Sequence, residues 1–158
     1  MLHPTGVAGA ERLRSYYLAN LIGNPLDTTI AAAALVFGGV IERYPRIKFL
    51  MVHGGGFAPY QAGRFDHGWR VRTEPRANLK TPPKASMDKL LFDTIAHGRP
   101  ALEFLVSSCT PARVLLGSGY PFDMGTLECA RQVEALSIAE TDKATILRGA
   151  ARRVLALP

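Results

Sequence analysis

Three places in the chain bring together residue types that do chemistry. His3 follows Met1-Leu2, and His53 closes the apolar run Phe49-Leu50-Met51-Val52 ahead of Gly54-Gly55-Gly56. The third is Gly117-Ser118-Gly119-Tyr120-Pro121-Phe122-Asp123, which follows the run Val114-Leu115-Leu116. An imidazole ligates a metal through one ring nitrogen or moves a proton near neutral pH. It also serves as a plain structural hydrogen-bonding group, and residue type alone leaves both roles open. Position is what singles these residues out. Each ends a run short and apolar enough for a buried parallel strand, and in parallel barrels the C-terminal strand ends carry the chemistry.

Four strand-like segments are available to position them, at 1–3, 48–53, 90–95 and 113–117. Between them the apolar spacing predicts helices over 11–22 and 28–43, divided by a turn at Gly23-Asn24-Pro25 because proline interrupts helical hydrogen bonding. Further helices are expected over 100–107 and 127–136. Ser137 and Glu140 have the spacing of a capping box, and Ile146, Leu147, Ala150, Ala151, Val154 and Leu155 form one face of a closing helix. The segment 73–86, with Pro75, Pro82 and Pro83, reads as a long loop of the kind that covers a site. Alternating strands and helices predict an α/β fold with a parallel sheet. Four strand ends amount to half of a (β/α)8 TIM barrel, which usually takes about 250 residues. One partial barrel domain over 1–158 is therefore expected.

Composition excludes several alternatives. At 158 residues and 47% apolar content the chain is long enough to bury a core. The run from Ile30 to Ile41 falls short of the roughly 20 apolar residues of a membrane span. The N-terminus lacks the pattern of a secretory signal, so the cytoplasm is the expected location. The formal charge of +6 is dispersed, with Arg70, Arg72, Arg76, Lys80 and Lys84 in the proline-rich loop and Arg148, Arg152 and Arg153 on a terminal helix. A solvated surface accounts for it, and no nucleic-acid motif is present. Cys109 and Cys129 have no metal or redox spacing and read as buried or half-buried helix thiols.

The motifs as a set carry a resemblance. His3-Pro4, Tyr17-Leu18-Ala19-Asn20-Leu21-Ile22-Gly23-Asn24-Pro25 with Thr28-Thr29, and Phe37-Gly38-Gly39-Val40 with Tyr44-Pro45-Arg46-Ile47-Lys48 come first. His53-Gly54-Gly55-Gly56, Gly63-Arg64-Phe65-Asp66-His67-Gly68, Phe92-Asp93-Thr94 and Leu116-Gly117-Ser118 with Tyr120-Pro121-Phe122-Asp123 follow in order. Together they resemble the amidohydrolase-related (amidohydrolase 2) family, which includes aminocarboxymuconate semialdehyde decarboxylase. The resemblance implies the C-terminal half of the (β/α)8 barrel, strands five to eight, and a metal-dependent carboxy-lyase or hydrolase acting on a small carboxylated substrate. It implies one divalent metal, commonly zinc, with His3 as a ligand and His53 as the acid or base beside the metal-bound water. Arg64 matches an arginine that reaches the substrate carboxylate of a neighbouring subunit, hence a homodimer, and Phe122 matches an aromatic residue lining the pocket.

The departures from the family pattern carry equal weight. The first-strand His-x-His pair has no counterpart, and Gly119 stands where the family places its ligand aspartate. Asp123 is expected to have another role, Asp93 reads as a buried hydrogen-bonding partner, and His67 as a surface residue. His97 loses the aspartate that relatives often place at Gly98. A truncated reading frame is the expected explanation, since Met1 falls inside what should be a strand. Two readings follow. The chain is either an enzyme piece, inactive alone and completed by an N-terminal half-barrel, or a non-catalytic barrel remnant that binds a ligand or partner.

Overall fold

The structure, a computed structural model, describes residues 1–157. They group into two compact units, Met1–Leu90 and the residues from Leu91 onward.

In the first unit Leu2 pairs in parallel with Met51, and its N–H donates to Leu50 O at 2.9 Å. Strand β1 spans Leu50–Met51. It is shorter than the expected 48–53, and beyond its C-terminal end His53, Gly54, Gly55 and Gly56 take positive φ of 57, 58, 82 and 61° in succession. Left-handed residues turn the chain out of the ladder. The helix expected over 11–22 does not form as one element. Ala10–Arg12 make a single 3-10 turn with no buried residue, and Tyr16 and Tyr17 take φ of 57 and 60°. The apolar side chains there, Tyr16, Tyr17, Leu21 and Ile22, stay exposed. Short helices draw most of their stability from a packed face, and this segment has none.

The turn expected at Pro25 is likewise absent. A π-turn over Ala19–Gly23, closed by Asn24 N–H to Ala19 O, runs directly into helix α1, Asn24–Phe37. The wider turn accommodates a ring that would otherwise meet a preceding carbonyl, and Pro25 then sits in the first turn of α1. Helix α1 buries Thr28, Ala32 and Val36 at intervals of four. It ends at Gly38-Gly39 rather than continuing to residue 43. Gly39 is left-handed, and a Cβ there would lie 2.3 Å from Asn78 O. Helix α2, Val40–Arg43, is a separate turn.

Helix α3, Ala58–Val71, and helix α4, Pro83–Met87, pack on each other and on α1. The proline-rich segment between them contains a 3-10 turn, Glu74–Arg76, and is pinned at several points. Trp69 Nε1–H donates to Leu79 O at 3.2 Å, and Lys84 N–H donates to Asp66 Oδ1 at 3.0 Å. The Glu42 carboxylate accepts from the N–H of Lys80 and of Thr81 and from the Thr81 hydroxyl.

The second unit is a β-α-β crossover followed by helices. Strand β2, Leu91–Asp93, pairs in parallel with β3, Val114–Leu115, in the register Phe92 to Val114 and Asp93 to Leu115. Helix α5, Arg99–Ser108, connects them and buries Leu102, Leu105 and Val106. After β3 come α6, Cys129–Glu134, α7, Glu140–Ala144, and α8, Ala150–Val154. A π-turn over Thr145–Gly149 joins the last two. Ile146 and Ala150 are fully buried, whereas Leu155, expected on the same face, is exposed beyond the helix end.

The expected capping box is replaced by a longer-range arrangement. Ala139 occupies the N-cap of α7, while the Ser137 hydroxyl accepts from Arg99 and the Ser137 N–H donates to Glu103. Both cysteines are half-buried, Cys129 at the start of α6 and Cys109 just past the end of α5. Among the described residues no helix is long and apolar enough to cross a membrane.

Candidate functional site

The structure brings His3 and His53 together. The parallel pairing of Leu2 with Met51 places both imidazoles just past the ends of their strands, with ring centroids 5.1 Å apart and an edge-to-face angle of 62°. His3 Nδ1 lies 2.7 Å from Pro4 O. A carbonyl only accepts, so in the neutral ring Nδ1 carries the proton and the lone pair lies on Nε2. His53 is half-buried and shares a hydrogen bond of 2.9 Å between its Nδ1 and Thr28 Oγ1.

The loop after His53 is fastened to α1 by the next threonine. The Thr29 hydroxyl donates to Pro25 O at 2.8 Å and accepts from Phe57 N–H at 2.7 Å. Gly56 passes so close to α1 that a Cβ would lie 2.1 Å from Pro25 O. Gly56 is therefore a steric requirement of seating this loop on the helix.

Thr28 was not assigned a role from sequence. A usable signal existed, because it occupies the buried stripe completed by Ala32 and Val36, and a polar residue in an apolar stripe needs a partner. Arg64 lies exposed on α3 in the same unit, and its side chain forms no ion pair or hydrogen bond among the described residues. The structure does not join it to the imidazole pair.

Phe122 belongs to the second unit, in an exposed turn where its N–H donates to Gly119 O at 3.0 Å. In that unit Asp93 is buried and accepts from Ile95 N–H at 3.1 Å, which fits a structural partner. Thr94, also missed from sequence, donates to Gly117 O at 3.3 Å and accepts from Gly117 N–H at 3.1 Å, tying the ends of β2 and β3. Asp123 accepts from Met124 N–H at 2.9 Å, and His67 is exposed on α3. A hollow of about 290 Å³, lined by Thr94, His97, Arg99, Leu102 and Gln132 among others, contains none of the predicted site residues.

Zinc in a protein site is held by three or four side chains. Among the described residues no group of three or more His, Cys, Asp or Glu is placed to hold a metal ion. Gly119 has φ 70°, and a Cβ there would lie 3.0 Å from Gly125 Cα, so the local backbone disfavours a side chain at that position. The donor set of this chain alone does not fit the metal. It supplies one oriented imidazole.

Parallel strands alternating with helices define an α/β protein. The family model described as Amidohydrolase matches residues 1–157, and the chain belongs to that family. It is 35% identical to the 2-amino-3-carboxymuconate-6-semialdehyde decarboxylase of Dictyostelium discoideum, over 99% of this chain and 44% of that protein. To the Caenorhabditis elegans protein of the same name it is 36% identical, over 78% of this chain and 31% of the other.

Among solved structures, 5-carboxyvanillate decarboxylase from Sphingomonas paucimobilis overlays with a TM-score of 0.87 at 22% identity, covering 99% of this chain and 49% of that one. A dihydroxybenzoic acid decarboxylase from Polaromonas, with bound manganese and the inhibitor 2-nitroresorcinol, overlays at 0.85 and 21% identity, covering 99% and 49%. These two overlays establish the fold. The chain spans less than half the length of these two curated relatives.

Proposed function

We propose that this chain is the part of a metal-dependent carboxy-lyase that contributes His53 and a single metal ligand, His3, and that by itself it turns over no substrate. The imidazole pair carries this reading: two histidines at adjacent strand ends, one with its Nε2 lone pair set for ligation by the bond to Pro4 O. The chain is read as the C-terminal half of a (β/α)8 barrel. The parallel pairings, the crossover through α5 and the overlay on about half of each decarboxylase support this.

The substrate is a small carboxylated molecule, as the names of the decarboxylase relatives suggest. Arg64 supplies a guanidinium for the carboxylate of a substrate held by a second copy, Phe122 supplies a ring that lines a pocket, and a complementing N-terminal half-barrel completes the site. A divalent metal, zinc by expectation and manganese in the Polaromonas relative, takes its remaining ligands from that complement.

Co-expression of this chain with the N-terminal half of the Dictyostelium relative tests the reading. The purified complex is expected to hold about one divalent ion, measured by elemental mass spectrometry, and to lose it in His3→Ala. The isolated chain is expected to retain none. A metal-loaded complex indifferent to His3→Ala would overturn the placement of the ligand. The left-handed Gly119 favours a second reading, a binding module without turnover, and a complex that pairs but holds no metal would support that instead.

A further inference from the structure

Thr28 is 1% exposed, and its hydroxyl is bonded to His53 Nδ1 at 2.9 Å. Among the described residues it has no other hydrogen-bond partner. A hydroxyl has one proton to give, and a neutral imidazole has one N–H and one lone pair. Two arrangements therefore satisfy the distance. With Nδ1–H donating to Thr28, the threonine proton is buried with nowhere to go, and the full desolvation penalty of a buried donor applies. With the Thr28 hydroxyl donating to the Nδ1 lone pair, both groups are satisfied.

We propose that Thr28 is a positioning residue that holds neutral His53 as its Nε2–H tautomer. His53 then presents a hydrogen-bond donor beyond its own ring, where His3 presents a lone pair. The two adjacent imidazoles are thus complementary: His3 is set to ligate, and His53 to donate to an oxygen, whether of water or of a carboxylate. Neutral His53 is not a ready base at Nε2 in this arrangement. A doubly protonated ring is still accommodated, because the hydroxyl rotates to accept from Nδ1–H. The left-handed backbone at His53, φ 57°, and the fastening of the following loop by Thr29 fix the imidazole against α1. The bearing on chemistry rests on the reading of His53 proposed above, whereas the tautomer rests on Thr28 alone.

Long-range 1H–15N spectra of the uniformly labelled full chain at about pH 8, above the ordinary imidazole value near 6.5, read the tautomer directly. His53→Asn identifies the signals. In the wild-type chain, Nδ1 of His53 is expected at a pyridine-like shift and Nε2 at a pyrrole-like one. Thr28→Ser is expected to keep that pattern, and Thr28→Val to move it toward Nδ1–H or a mixture. A wild-type spectrum with Nδ1 protonated, or a Thr28→Val spectrum unchanged from wild type, would overturn the proposal. If Thr28→Val does not fold, the wild-type and Thr28→Ser spectra decide it. A metal-free complex in the co-expression experiment leaves this result untouched, so the two readings fail separately.

Discussion

Gly56→Ala should be among the most damaging single-methyl additions in the first unit. Gly56 sits at φ 61°, ψ −127°, where an L-residue is strained by about 1–3 kcal/mol. The new Cβ would lie 2.1 Å from Pro25 O, 2.7 Å from Thr29 Oγ1 and 3.0 Å from the Pro25 carbonyl carbon. Relieving the first contact moves the loop about 1 Å away from α1, a repacking that costs about 1–3 kcal/mol. The same shift loosens the bonds from Thr29 to Pro25 and from Phe57 to Thr29, each worth about 0.5–1.5 kcal/mol.

These costs overlap, and about 3–6 kcal/mol in total is expected, a large part of the 5–15 kcal/mol that holds a typical domain together. Gly63→Ala is the control. Gly63 lies within α3 with no atom within 4 Å of a built Cβ, so alanine there should gain about 0.5–1 kcal/mol. Urea unfolding of the two variants by circular dichroism should therefore give changes of opposite sign. A cost below about 1 kcal/mol for Gly56→Ala would refute the seating of residues 53–56 on α1, and with it the contact of His53 with Thr28.

In the second unit, Thr94→Val removes a hydroxyl that serves both polar groups of Gly117, and should cost about 1–3 kcal/mol. Thr94→Ser should recover most of that in thermal melts of the two variants, and equal losses in both would point to packing instead. Glu42→Gln tests the clasp on the proline-rich segment. The Thr81 hydroxyl, joined by the Lys80 and Thr81 amides, holds the Glu42 carboxyl below its ordinary 4.5, against an opposing effect of burial second only to the hydroxyl bond. A depressed carboxyl stabilises the fold fully above its unfolded value and loses that contribution as pH falls through the folded one. The wild-type advantage over Glu42→Gln, no more than about 1 kcal/mol in this solvated setting, should be present at neutral pH and vanish in acid. A gap in urea midpoint that widened on acidification would contradict the assignment.

The strands were readable because short apolar runs closed by a polar residue have few other uses, and each of the four segments takes part in a parallel pairing. Their ends were not readable, since β1 is followed by consecutive left-handed residues, and the close approach of Gly56 to α1 is a tertiary contact. At Pro25 a local rule misled. A missing N–H predicts a break, but one extra residue in the preceding turn accommodates the ring and the helix proceeds. Residues 11–22 misled in the opposite direction, because apolar spacing stabilises a helix only when its face is covered.

The site divides along the same line between residue type and environment. His3 and His53 were visible as imidazoles at strand ends, because that reading needs only sequence position. What each imidazole offers depends instead on its Nδ1 partner, which lies one residue away for His3 and 25 residues away for His53. A carbonyl partner leaves no choice of donor, and in the neutral ring puts the lone pair of His3 on the far nitrogen. A buried hydroxyl with no second acceptor leaves no choice either, and fixes an N–H on the far nitrogen of His53. One residue type at two neighbouring strand ends thus acquires opposite hydrogen-bonding polarity, and a threonine in the apolar stripe of α1 makes the difference.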